Sequence, residues 1–285
     1  MTRRFPYARI ISALLLLSSA LLVMWVGLPL LAPTYLLLTL AALQEYAVMM
    51  NRRGVPIRRR SLWIAAILTL PASLPVTYPG MAPLFAGVSW REALLGIFAL
   101  YLIALEIVHP NENSLQSLVY TLFGYFYIPW LFGYVLTLRY TPDGVMGLWY
   151  LTLPVLAIVA TDVGAYIIGT LFGRRKLAPK LSPNKTLEGA LGGLGLAVLI
   201  VTMGTRLLEY GLGLHVDLYD AILFSILVGS AAQLGDLFES LIKRWAGVKD
   251  AGFFLPGHGG VLDRIDSYLF AVPVTYYFVT LVILR

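Results

Sequence analysis

The 285-residue sequence has no cysteine, which excludes disulfides and every metal site built on thiolates. Charge is scarce too: 21 Lys and Arg with 15 Asp and Glu make up 13% of the chain, where about 25% is usual for a soluble domain. With 59% hydrophobic residues and a mean hydropathy of +0.80, an ordinary soluble globular protein is excluded. No internal repeat of useful length is visible, which argues against a transporter built from inverted halves. A cleavable leader is not expected either. The first apolar run, residues 10–31, is too long for a signal-peptide core and no small-residue cleavage site follows it. The net charge of +6 would suit a nucleic-acid binder, but the placement of the charges points to membrane topology, and no nucleic-acid partner is expected.

Long apolar runs recur from end to end, and runs of about 18 or more read as spanning helices. The sequence predicts an all-α integral membrane protein, a polytopic bundle of about nine transmembrane helices near 10–31, 34–50, 62–80, 92–108, 115–138, 145–171, 187–208, 221–242 and 267–284. With the N-terminus in the cytoplasm and the C-terminus outside, only Arg91, Arg139, Arg206 and Arg285 of the 21 basic residues fall on the outer side. The positive-inside rule favours that orientation over its reverse. Residues 1–144 read as scaffold. Residues 145–285 read as the catalytic region, with cytoplasmic loops at 172–186 and 243–266, and the proline-rich stretch 71–83 as an outer loop with a bent helix end.

Against this apolar background, Asp236 to Ser267 concentrates Asp236, Glu239, Lys243, Arg244, Lys249, Asp250, Asp263, Arg264 and Asp266, plus His258. Charge near hydrocarbon costs several kcal/mol unless paired, hydrated or metal-bound, so the density needs a cause. Asp236, Glu239, Ser240 and Lys243 recur at helical spacing and share one face, which must turn toward protein or water. Lys243 and Arg244 also suit a snorkelling helix end. Asp263 and Asp266, three apart, suit a hard cation such as magnesium. They equally suit a helix start, with Asp266 and Ser267 as caps. Between the two groups, Pro256-Gly257-His258-Gly259-Gly260 lets backbone amides approach an anion, flanked by Lys249 and Arg264.

An earlier segment has a similar character. Asp162 lies inside a span, where a lone acid is a functional candidate, while Gly164, Gly169 and Gly173 suit close helix packing. The following cations Arg174, Arg175, Lys176, Lys180 and Lys185 mark the cytoplasmic side. Lys185 stands out as a phosphate ligand because a helix starts beside it, with Thr186 or Ser182 as its cap.

Together these residues resemble the phosphatidate cytidylyltransferase (CDP-diacylglycerol synthase) family. The likeness is carried by Ser240, Lys243, Arg244, Lys249, Asp250, Gly252, His258, Gly259, Gly260, Asp263, Arg264 and Asp266. Asp162-x-Gly164-Ala165-Tyr166 and Ser182-Pro183-x-Lys185-Thr186-x-Glu188-Gly189 add to it. It is specific over about residues 160–270. The resemblance implies that CTP and phosphatidic acid react to CDP-diacylglycerol and pyrophosphate at the cytoplasmic side of the cell membrane. It also implies magnesium, with scope for a second cation, and membrane lipids and a homodimer as admissible partners. It makes Asp236, Asp263 and Asp266 the metal ligands, with Lys243, Asp250 and His258 as further catalytic candidates. Asp162, Lys185, Ser240, Arg244, Lys249, Gly259, Gly260 and Arg264 become substrate-binding candidates. The rival readings are a CTP-dependent polyprenol or phytol kinase, a cytidylyltransferase for another lipid phosphate and, in a different class, a secondary transporter using Asp162 and Asp236. Transporters place such groups near the midplane of paired repeats, whereas here they gather toward one end.

Overall fold

A computed structural model describes residues 18–74, 89–212, 216–252 and 259–285. Residues 10–17 of the expected first span and most of the 71–83 loop therefore lie outside the described residues, as do Pro256, Gly257 and His258. The described part of the first span is helical from residue 18 to residue 26 and stops at Gly27, whose φ of 78° suits glycine alone. The first long helix, α1 (Leu28–Arg52), starts directly after it with a proline in its first turn. The break thus comes earlier than residues 31–34, where the apolar pattern put it, and Pro33 lies inside α1.

The chain continues through α2 (Arg59–Ala72), α3 (Trp90–Val108), α4 (Ser114–Tyr125), a π-helical turn at Phe126–Trp130, α5 (Tyr134–Arg139) and α6 (Gly144–Phe172). A short antiparallel hairpin follows, β1 (Lys176–Ala178) with β2 (Ser182–Thr186), and then α7 (Leu187–Leu212), α8 (Leu218–Ala246) and α9 (Leu262–Phe278). The fold is therefore helical with one added ribbon where a basic loop was expected. Local chemistry sets several ends. Asp143 caps α6 by accepting from the amides of Val145 (2.8 Å) and Met146 (2.9 Å). Pro129 lacks the N–H that would continue α4 regularly, and the turn widens around it.

Among the described residues six helices are long and apolar enough to cross a membrane: Leu28–Arg52, Ser114–Arg139, Gly144–Phe172, Leu187–Leu207, Leu218–Ala246 and Leu262–Ile283. The chain is a polytopic membrane protein. At 14 residues α2 is about 21 Å long, short of a hydrocarbon core of about 30 Å. Helix α3 carries Arg91, Glu92 and Glu106. Their cost is met locally: Glu106 accepts from Arg58 at 2.8 and 3.0 Å, and the Arg91 guanidinium lies 3.3 Å from the Tyr134 ring centre.

Helices α6 to α9 form the half that carries the site, α6 lying along α7, α8 along α9, and α7 against α8. The expected close packing at Gly164 and Gly169 is present: a side chain at Gly164 would run into Gly192 and Gly193, and one at Gly169 would stand 3.1 Å from Thr186 Oγ1. At Gly235, one residue before Asp236, a Cβ would stand 2.5 Å from the Asp266 carbonyl and 3.2 Å from the Ser267 Cα. Only glycine lets α8 and α9 cross there, and the crossing brings the two acid-bearing segments together. Gly235→Ala is expected to force the helices apart and to destabilise the protein by about 1–3 kcal/mol. The fall in apparent Tm of the detergent-solubilised variant checks this; an unchanged Tm would mean that the crossing adjusts freely.

Candidate active site

Helix α8 presents Asp236, Glu239, Ser240 and Lys243 along one face, as their spacing predicts, and the face turns inward: Glu239 and Ser240 are buried. Glu239 is 0% exposed, so its charge must be met inside the protein. Lys243 meets it. The Nζ bonds Glu239 Oε2 on its own helix and reaches Asp263 Oδ1 of α9 at 2.5 Å. The second Asp263 oxygen accepts from the amides of Gly260 (2.7 Å) and Ala251 (3.1 Å). Asp263 thus ties α8, the turn after α8 and the start of α9 to one carboxylate. The glycine turn does meet an anion, and within this structure that anion is Asp263.

Three carboxylates form a second group. Asp266, buried in α9, lies within electrostatic reach of Asp236 and of Asp162. Asp162 sits ten residues inside the end of α6 at Phe172, a depth at which a carboxylate has to face protein or water rather than lipid. Lys185, from β2, closes one side through an ion pair with Asp236. The hairpin therefore holds Lys185 just before α7, and Thr186 rather than Ser182 caps that helix, accepting from the Gly189 amide at 3.1 Å. Ser182 lies in β2.

Asp266 and Ser267 do not cap α9, which begins at Leu262; they lie in its second turn. The cap comes from Glu45 of α1, a residue the sequence reading assigned to scaffold. Its two oxygens accept from the amides of Val261 (2.9 Å) and Leu262 (2.8 Å). Side chains at Gly252 or Gly260 would collide with that carboxylate. Another residue without a sequence signal is Tyr127, 1% exposed on the π-helical turn. Glu239, Asp266, Asp236 and Asp263 are the charges that bear on its hydroxyl. Among the described residues the Tyr127 hydroxyl and Glu239 Oε1 are buried without a hydrogen-bond partner.

The remaining candidates lie at the rim. Arg244 donates from Nε to the Leu181 carbonyl (3.2 Å) and from Nη1 to that of Val248 (3.3 Å), tying α8 to the hairpin. Lys249, Asp250 and Arg264 are exposed. Gly259 has φ 77°, and a side chain there would stand 2.8 Å from Asp263 Oδ2. Among the described residues no three Asp, Glu, His or Cys side chains converge closely enough to grip a metal ion. The donor set nevertheless suits a hard cation. Asp162, Asp236, Glu239, Asp263 and Asp266 outnumber Lys185 and Lys243, and Glu239 Oε1 is buried without a partner.

A helical membrane protein with carboxylates and ammoniums gathered in one cluster is equipped for charge-dense ligands rather than for lipid alone. Residues 7–282 match the cytidylyltransferase family, and the chain belongs to that family of nucleotidyltransferases. It is 33% identical to a phosphatidate cytidylyltransferase of Synechocystis sp. over 98% of both chains. It is also 37% identical to the enzyme of that name from Staphylococcus epidermidis, over 68% of this chain and 72% of that one. For the Bacillus subtilis enzyme the identity is 36%, over 68% and 70%.

Removing the Glu45 carboxylate leaves the Val261 and Leu262 amides without their partner, at a cost of about 1–3 kcal/mol. Glu45→Ala is expected to lower both thermal stability and turnover, and Glu45→Gln, which keeps one acceptor, to recover part of each. Equal behaviour of Glu45→Ala and the parent protein in thermal unfolding would refute the capping role.

Proposed function

We propose that this protein is a phosphatidate cytidylyltransferase, joining CTP to phosphatidic acid to give CDP-diacylglycerol and pyrophosphate at the cytoplasmic face of the cell membrane. The observation that carries the reading is the meeting of Lys185–Asp236 with Glu239–Lys243–Asp263 beside Asp162 and Asp266. It occurs in a chain alike from end to end to an enzyme of that name.

In this reaction an oxygen of the lipid phosphate forms a bond to the α-phosphorus of CTP while the bond to the bridging oxygen breaks and pyrophosphate departs. Both reactants are anions, so alignment and charge neutralisation govern the rate. A phosphate dianion is already nucleophilic, and no strong general base is needed. Lys243 and Lys185 are the ammoniums paired to these acids, with Arg244, Lys249 and Arg264 exposed on neighbouring segments to receive the triphosphate. Magnesium would be held by Asp236, Asp263 and Asp266, and when bound it supplies charge to the phosphates and the departing pyrophosphate. Glu239 keeps the Lys243 ammonium on the face of α8 that lines the site.

The orientation with the N-terminus in the cytoplasm and nine spans is part of the proposal. It is supported by how the basic residues sort. Arg53 at the end of α1 bonds the Trp245 carbonyl at the end of α8, and Arg244 reaches the hairpin, so these cations share one end of the bundle. Arg139 instead donates to the Met24 carbonyl (2.7 Å) at the other end.

Purified protein in detergent is expected to release pyrophosphate from CTP only with phosphatidic acid and magnesium present, and to stop when the metal is chelated. Activity on a prenol instead, or none, would refute the reading. Asp263→Asn and Asp266→Asn are each expected to lower turnover by about 10²-fold or more while the protein stays inserted. Near-normal rates in both would leave these acids a structural role only. Because the chain has no cysteine, the orientation can be read from single substitutions. Lys249→Cys should label from the cytoplasmic side alone and Arg206→Cys from the outside alone.

A further inference from the structure

Beside the Asp263 network lies a second concavity that the proposed chemistry does not use. Its volume is about 140 Å³, and it is bounded by Gln44, Val48, Met49 and Arg52 of α1 and by Asp250 and Gly252 of the turn after α8. We infer that this cavity is the nucleoside subsite, and that Asp250 selects cytosine by accepting a hydrogen bond from its exocyclic amino group. The inference rests on the reading of the protein as a CTP-using enzyme and adds where the base is read.

The size fits one ring. A cavity of about 150 Å³ is known to hold a single six-membered ring, and a purine would overfill this one. Its lining offers both kinds of surface a base needs. Val48 and Met49 supply apolar contact for a ring face, and the Arg52 guanidinium supplies a plane on which a base can stack. The polar groups are available: among the described residues neither the Gln44 amide nor the Asp250 carboxylate has a hydrogen-bond partner, and both are exposed and line the cavity.

Their chemistry distinguishes pyrimidines. A carboxylate only accepts, and a cytosine amino group is a donor suited to it. Uracil presents a carbonyl oxygen at the same position, which would face the carboxylate with like polarity, a repulsive element of the kind that sets specificity. Gln44 carries both a donor and an acceptor and can serve the rest of the ring edge or the ribose.

Position relative to the reacting centre supports the assignment. Ala251, next to Asp250, donates to Asp263 at 3.1 Å, and Glu45, which also borders the cavity, holds the Val261 and Leu262 amides. A nucleoside seated here therefore abuts the Asp263 network, and its phosphates have Lys243 ahead of them.

The test compares CTP with UTP in the parent protein and in Asp250→Asn and Gln44→Leu, by steady-state kinetics with phosphatidic acid and by titration calorimetry without lipid. The parent is expected to prefer CTP. In Asp250→Asn, whose side chain both donates and accepts, the ratio of kcat/KM for CTP to that for UTP should fall about tenfold, and the calorimetric affinity for CTP should fall with it. Gln44→Leu should weaken binding of both nucleotides, and free cytidine should compete in the parent. If both variants keep the parental preference and affinity while CTP is turned over normally, the subsite is wrong and the proposed function stands. If the parent neither binds nor uses CTP, both fall together. Retention of the parental elution profile in gel filtration separates loss of binding from loss of fold.

Discussion

The Lys243 ammonium, shared between Glu239 on its own helix and Asp263 on the next, is the interaction on which the site depends. A fully buried carboxylate is tolerable only with a partner, and Glu239 has one because Lys243 lies a single helical turn away. The same ammonium reaches across to α9 and fixes where Asp263 stands. Asp263 in turn gathers two backbone amides from the connecting turn. One cation thus sets the relation between two spanning helices and the loop that joins them. Its removal would leave two inward-facing acids uncompensated, which is a far larger perturbation than losing a surface ion pair.

Glycine makes that arrangement sterically possible. Charged side chains can meet across a helix pair only when the backbones come close, and Gly235 brings α8 against the Asp266 carbonyl. The same device at Gly164 and Gly169 sets α7 close on α6 and so positions the strand that carries Lys185. In a membrane, where burying apolar surface gives helices little reason to associate, such contacts carry much of the packing. Polar pairing and small-residue packing therefore depend on each other here.

What was legible in the sequence follows from this physics. The apolar runs announced a membrane protein, and helical spacing put Asp236, Glu239, Ser240 and Lys243 on one inward face, because both signals are local. The alternatives for Asp263 and Asp266 could not be separated by spacing alone, since a metal pair and a helix start look alike over four residues. The true cap of α9 is Glu45, 216 residues before Val261, and no window of sequence contains both. A signal for it did exist: Glu45 is an acid inside an apolar run, the same pattern that drew attention to Asp162. Tyr127 had none, because a buried aromatic in a span looks like packing until the acids are folded around it. The hairpin was read as a loop because its strands are short, Pro179 follows directly on β1 and Pro183 lies within β2.

The pairing pattern also constrains how a charged ligand can enter. Lys185 and Lys243 are already engaged with Asp236, Glu239 and Asp263, so a phosphate arriving at either ammonium competes with the carboxylate already paired to it. A carboxylate that loses its ammonium then needs a new counter-charge, and inside the protein it cannot be left without one. A polyanion and a cation entering together satisfy both halves of that exchange, whereas either alone leaves buried charge unmatched. Gain from the incoming phosphate is offset by the pair it breaks, so affinity is set by the difference between two ion-paired states and not by the sum of new contacts.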